Sequence, residues 1–191
     1  MKSDSSILLV VLVVLYAAVF AQSGAPKPAD KAAPSEAQKS FETMKSFAGT
    51  WQGAVKLDPP QPEMDNGKPV EITMRVTSRG NAIVHEMQEA GAPLDAKKYD
   101  HPVSMVYLDS DRLTLVHYCD AGNRPRMAGK LSPDGKKVEF DFVDLSGANQ
   151  FGHMYHAVFT SIDANHHLED WTYLMPGDKP MHAHMDLQRV Q

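Results

Sequence analysis

Nine histidines stand out in a chain of 191 residues, because imidazole can ligate a metal, move a proton or hold a polar ligand near neutral pH. His182 and His184 are two apart, a spacing that puts both on one face of a strand, where they could chelate an ion. His166, His167, Asp170 and Asp186 are further candidate ligands nearby. Yet Met181, Ala183, Met185 and Leu187 form the apolar set of that stretch, so alternation turns His182, His184, Asp186 and Gln188 to solvent. No metal is assigned from them. His85 and His117 differ, since each falls on the apolar face of an alternating segment and is expected to point inward. An inward histidine needs a hydrogen-bond partner or a ligand. Two of them beside many methionines suit haem, which takes His or Met axially. They suit equally a lipid-like molecule whose polar end meets an imidazole, or a satisfied core. His156 lies in a segment apolar on both faces and is left unoriented.

Nucleophilic chemistry has little support. Cys119 is the sole cysteine, so it makes no internal disulfide, and a lone cysteine usually packs as a small hydrophobe. His117 shares its strand face, but the strand rise holds residues two apart roughly 6–7 Å apart at Cα, awkward for proton transfer. Gly-x-Ser-x-Gly, Walker, HExxH and dinucleotide fingerprints are absent, and the chain reads as a binding protein rather than an enzyme. Two loops are locally unusual. Asp120–Arg126 carries Arg124 and Arg126, either as mouth arginines that greet a carboxylate or as solvated residues of a hairpin. Ser146–His156 is long for a hairpin connection and brings His153 towards one end of the fold.

The elements that must position these residues alternate with a period of two. Before them, Ser35 to Phe47 has a helical pattern, with Ser35 and Gln38 spaced as a capping box and Phe41 and Met44 on one face. After Gly49, about ten short strands separated by turn signals predict an all-β fold, an antiparallel up-and-down barrel with one N-terminal helix. Pairing across Arg79-Gly80 sets Val76 opposite Ile83, Met74 opposite His85 and Ile72 opposite Met87, so one face stays continuous. The expected lumen is lined by Met74, His85, Met87, Leu115, His117, Phe142, Trp171, Tyr173 and Met185.

Residues 1–21 pair a short polar start containing Lys2 with the apolar run Ile7–Phe20 and small residues after it, and read as a signal peptide. Residues 22–34, rich in Ala and Pro and lacking aromatics, read as a flexible tether. Residues 35–191 form the barrel domain, which is expected to be exported, periplasmic or secreted, with no membrane span after cleavage. The net charge is −5 and no Lys/Arg run occurs, which sets nucleic acid aside as a partner.

Gly49-Thr50-Trp51 at the start of the first strand, with Arg189 near the end of the last, resembles the lipocalin (calycin) signature. That resemblance implies that Trp51 closes the barrel floor with Arg189 across its ring. The longer run Gly49-Thr50-Trp51-Gln52-Gly53 is similar to the opening of nitrobindin-like haem-binding barrels, and equally to uncharacterised bacterial lipocalin-like domains. The Thr-Asp-Tyr loop of secreted lipocalins is absent, and Val55 stands where nitrobindins have a further glycine. The resemblance implies a small hydrophobic ligand in the lumen, or haem or a metal held by inward histidines. A filled barrel working through its loops, as an enzyme or an envelope interaction module, is the remaining alternative.

Overall fold

The computed structural model describes residues 33–62 and 67–191. The signal segment and all but the last two residues of the tether lie outside the described residues. The chain enters through helix α1 (Glu36–Ser46). Ser35 Oγ accepts from Gln38 N at 3.2 Å and Gln38 Oε1 accepts from Ser35 N at 2.8 Å, so the capping box satisfies two backbone donors reciprocally. Phe41 and Met44, on the inner face of α1, and Phe47 beyond its end are all buried.

Ten strands follow: β1 (Gly49–Asp58), β2 (Val70–Thr77), β3 (Ala82–Glu89), β4 (Val103–Asp109), β5 (Arg112–Tyr118), β6 (Arg124–Leu131), β7 (Lys137–Ser146), β8 (His153–Asp163), β9 (His166–Met175) and β10 (Lys179–Arg189). Each pairs antiparallel with its neighbour in sequence, and β1 closes on β10. This is the up-and-down barrel that the alternation predicts. Closure leaves no unpaired edge to manage. Among the described residues no helix is long and apolar enough to cross a membrane.

The β2–β3 register is the predicted one, with Val76 opposite Ile83, Met74 opposite His85 and Ile72 opposite Met87. The connection itself differs from a two-residue turn. Ser78 and Arg79 both take positive φ and coil Ser78–Gly80 into a 3-10 turn closed by Asn81 N to Ser78 O at 3.2 Å. Ladder pairing therefore stops at Thr77 and Ala82. Met175, which shares the inward parity of Trp171 and Tyr173, is nonetheless 41% exposed, because β9 reaches the open rim there and has run out of barrel to face.

The helix end of the barrel, its floor, is sealed. Trp51 Nε1–H donates to Phe47 O at 2.9 Å, and the Arg189 guanidinium lies 4.0 Å from the Trp51 ring centroid. The contact implied by the lipocalin resemblance is present. Arg189 also donates to Ala48 O at 2.7 Å and Ala164 O at 3.0 Å, tying the helix–β1 and β8–β9 connections to the last strand. Gly49 has φ +147, and a Cβ there would collide with the guanidinium, so the glycine is what lets Arg189 approach. The opposite end, the mouth, carries the β1–β2, β3–β4, β5–β6, β7–β8 and β9–β10 connections.

Arg189→Ala would remove the cation–π contact and leave two backbone carbonyls without their donor. The expected loss is about 1–3 kcal/mol, read as a lower urea midpoint at unchanged slope. Lys at this position is expected to recover little of it, since an ammonium cannot reproduce the planar fork.

Candidate functional site

A single carboxylate organises the interior. Glu169 on β9 is fully buried and faces His85 of β3 across the lumen. His85 Nε2 lies 3.0 Å from Glu169 Oε2 and 3.3 Å from Oε1. His167 Nε2 is 3.1 Å from Oε1, and Trp171 Nε1–H donates to Oε2 at 2.9 Å. Burial alone would drive this carboxyl up. The attraction of His85 and the hydrogen bonds from His167 and His85 outweigh it and hold the group well below the usual carboxylate range. An ionised carboxylate only accepts, so the nitrogens facing it carry the hydrogens. For His167 this fixes the tautomer. Its Nδ1 is sealed without a partner, so a hydrogen there would be a buried, unmatched donor. The His167 ring also meets the Trp51 ring edge-on at 4.2 Å, which joins the carboxylate cluster to the floor.

Beside this crossbar stands a second polar pair. His85, Ser104 and His117 are cross-strand neighbours on β3, β4 and β5. Ser104 Oγ and His117 Nδ1 share a hydrogen bond of 2.9 Å. The Trp171 ring packs on both imidazoles, 5.4 Å from His85 and 5.7 Å from His117. Burial, reinforced by nearby His85, lowers His117 to about 4, so its ring is neutral at physiological pH.

Towards the mouth the lumen opens into a cavity of about 600 Å³. Its walls include Val55, Leu57, Val70, Met87, Met181 and Met185. Met185 pairs with Glu169 across β10 and β9, and Met87 stands two residues above His85 on β3. The two methionines thus floor the cavity directly over the crossbar.

The nine residues expected to line one lumen fall into four sets. Met74 and Leu115 belong to the sealed lower core. His85, His117 and Trp171 form the buried polar layer. Only Met87 and Met185 line the cavity. Phe142 and Tyr173 sit half-buried at the mouth, where Phe142 stacks on Tyr155 at 5.6 Å and Tyr173 Oη–H donates to Phe151 O at 3.0 Å. The levels separate because Phe140 and Phe159, with the side chains of α1 below, fill the lumen beneath the mouth.

Glu169 and His167 are absent from the expected lining, although both share the parity of Trp171 on β9. A charged residue on a strand reads as outward by polarity. The usable signal is that His167, Glu169, Trp171 and Tyr173 are all two apart in one strand.

Four further histidines lie away from the lumen. His182 bonds Thr172 Oγ1 at 3.0 Å, His184 bonds Asp170 at 2.6 Å and His166 bonds Asp186 at 2.9 Å, all on the outer face of β9 and β10. His156 is also outward. Glu139, Asp141 and His156 hold their donor atoms within 4.8 Å of one another, and Lys130 pairs with both carboxylates, so this cluster is internally compensated. The two unusual loops hold each other. Asn123 Nδ2 donates to Ala148 O at 3.0 Å and Gly152 O at 2.7 Å, and His153 Nδ1 bonds Asn149 Oδ1 at 2.9 Å. Arg126 pairs with Asp144, and Arg124 donates to Ser146 Oγ at 3.1 Å. Both arginines are spent on β7 rather than turned to the cavity.

No family model and no curated protein matches the chain. Among solved structures, Rv2717c from M. tuberculosis is similar over 80% of this chain and 98% of its own, at 14% identity and a TM-score of 0.54. That likeness establishes the barrel fold and nothing finer. A protein of unknown function from the DUF3598 family of Nostoc punctiforme is a more distant likeness, at 7% identity and a TM-score of 0.38, over 77% of this chain and 48% of its own.

Two acid-side effects are separable by pH. His117 titrates near 6.5 when unfolded and near 4 when folded. The unfolded state therefore takes up the proton first, and stability that is complete above pH 6.5 declines as pH falls towards 4, by about 3 kcal/mol for this group. His117→Gln should flatten that window. Glu169 is depressed, so its contribution is complete above the unfolded carboxylate pKa of 4.5 and declines below it. Glu169→Gln should remove that second decline and cost about 3–5 kcal/mol at neutral pH, because it leaves buried donors facing an amide. Urea titrations at stepped pH measure both.

Proposed function

We propose that this barrel is an exported carrier of a compact, largely apolar molecule held in the mouth cavity. The observation that carries the reading is the cavity of about 600 Å³ walled by aliphatic and methionine side chains. Ligand sites of roughly 300–1,000 Å³ with apolar walls and few polar groups are the usual form of small-molecule pockets. Methionine is unbranched and polarizable, so Met87, Met181 and Met185 can adapt to the shape of a guest. The lipocalin-like floor contact of Trp51 and Arg189 supports the same reading, since sealing one end makes the other the single way in for a ligand. Binding is favoured over catalysis because the reactive side chains are committed elsewhere. His85 is spent on Glu169 and His117 on Ser104, and neither ring lines the cavity.

The same geometry bears on haem, which the nitrobindin-like opening implies. A macrocycle in the cavity would meet the thioethers of Met87 and Met185 rather than an imidazole. His85 and His117 lie beneath those side chains with one nitrogen each already bonded. A histidine-held haem therefore does not fit this arrangement.

Ala183 lines the cavity wall, so Ala183→Trp and Met185→Trp would fill it. Nile red, an uncharged apolar dye, should brighten on binding the wild-type protein, and each Trp variant should weaken that binding by about tenfold or more while thermal unfolding stays cooperative. Equal dye affinity in wild type and both variants would overturn the carrier reading.

A further inference from the structure

Given the carrier reading above, the charges at the cavity rim bear on which molecules it would hold. Among the described residues, three charged side chains line the cavity: Lys68, Glu89 and Asp100. Lys68 Nζ is 2.5 Å from Glu89 Oε1, so the only lysine of the described lining is matched within it. Asp100 is placed differently. Its Oδ1 takes the backbone N–H of Asp120 at 3.2 Å, the Asp120 carboxylate repels it while the His101 ring attracts it, and among the described residues it forms no ion pair with a lysine or arginine. Lys97 and Lys98 line a neighbouring cleft together with Asp100, where the Lys98 ammonium lies 5.6 Å from the Tyr99 ring centroid. The arginines nearest the mouth in sequence, Arg124 and Arg126, are held by Ser146 and Asp144 on the outer face.

We infer that the molecule held in the cavity is an amphiphile with a cationic, ammonium-type end, seated with its chain against the methionine floor and its charged end at Asp100. An anionic amphiphile such as a fatty acid would bring its carboxylate to a rim where, among the described residues, the one lysine is already paired and the remaining charge, Asp100, is negative. A cation there gains what Asp100 lacks. Two neighbours respond to the same field. Burial pushes the Tyr173 hydroxyl up to about 12 and the Cys119 thiol upward, and in both cases Asp100 and Asp120 add to the rise. For Asp100 itself, burial and then the Asp120 carboxylate push the carboxyl upward, against the backbone N–H groups of Asp120 and His101 and the His101 ring, which pull it down.

The test compares three ligands with one chain length, dodecyltrimethylammonium, dodecanol and laurate, by displacement of Nile red from the full mature protein below their micellar concentrations. The expected order is ammonium tightest, dodecanol intermediate and laurate weakest, with about tenfold or more between the first and last. Asp100→Asn should bring the ammonium ligand down to the level of dodecanol and leave dodecanol unchanged. Asp100 is on an exposed loop, so this variant is expected to fold, and a retained dodecanol affinity confirms that it has. If dodecanol displaces the dye but laurate binds as well as the ammonium ligand, the charge selection is wrong and the cavity reading stands. If the ammonium preference survives Asp100→Asn, the assignment to Asp100 is wrong. If none of the three displaces the dye from wild type, both readings fall.

Discussion

An ionised carboxylate in the middle of a closed barrel is tolerable only if every direction it faces supplies a donor. The cost of removing such a charge from water is several kcal/mol even after relaxation, and bulk solvent cannot relieve it here. Glu169 meets that condition with three side chains from two opposite walls: His85 from β3, and His167 and Trp171 from its own strand. Much of the remaining interior follows. Trp171, held by its indole N–H, becomes the surface on which His85 and His117 both pack. His167, fixed through Nε2, turns the edge of its ring to Trp51. Trp51 in turn carries Arg189. A continuous set of contacts thus runs from the floor to the middle of the barrel and stops beneath Met87 and Met185.

This arrangement divides the barrel into a rigid lower part and an adaptable upper part. At and below the crossbar, Phe140, Phe159, Leu115 and the inner face of α1 are buried, and a polar group has no route in. Above it the walls are methionine, valine and proline, and the charged groups lie at the rim. The two halves use the same strands. What separates them is that helix α1 plugs only one end, so the side chains at the other have no facing layer to fill the space.

The parts of this architecture that depend on alternation were legible in the sequence. The capping box at Ser35 and Gln38, the β2–β3 register and the outward turn of His182 and His184 all follow from local spacing, and the structure has each of them. Trp51 and Arg189 were legible for a different reason, as a pattern shared with other barrels. Glu169 was not. Its inward placement contradicts the polarity on which strand orientation is read, and what makes it tolerable is His85, 84 positions away. Only the closed fold brings those donors together. Likewise, parity said which side chains point inward but not at what height, so Met74 and Met185 looked equivalent although one is sealed in the floor and the other borders open space.

That separation along the chain also shapes how the barrel can assemble. A β-meander can grow hairpin by hairpin, each pairing made soon after its strands appear. Glu169 breaks this gradualism. Before the opposite wall arrives, a partly built sheet would have to keep the carboxylate hydrated or bury it with one essential donor missing, and either prevents the lower lumen from drying. The core therefore cannot consolidate strand by strand. It gains its stability only when β3 and β9 face each other, a long-range event of the kind that slows folding and concentrates it into one cooperative step. A buried charge thus acts as a check on completeness, since half a barrel has no dry interior to offer.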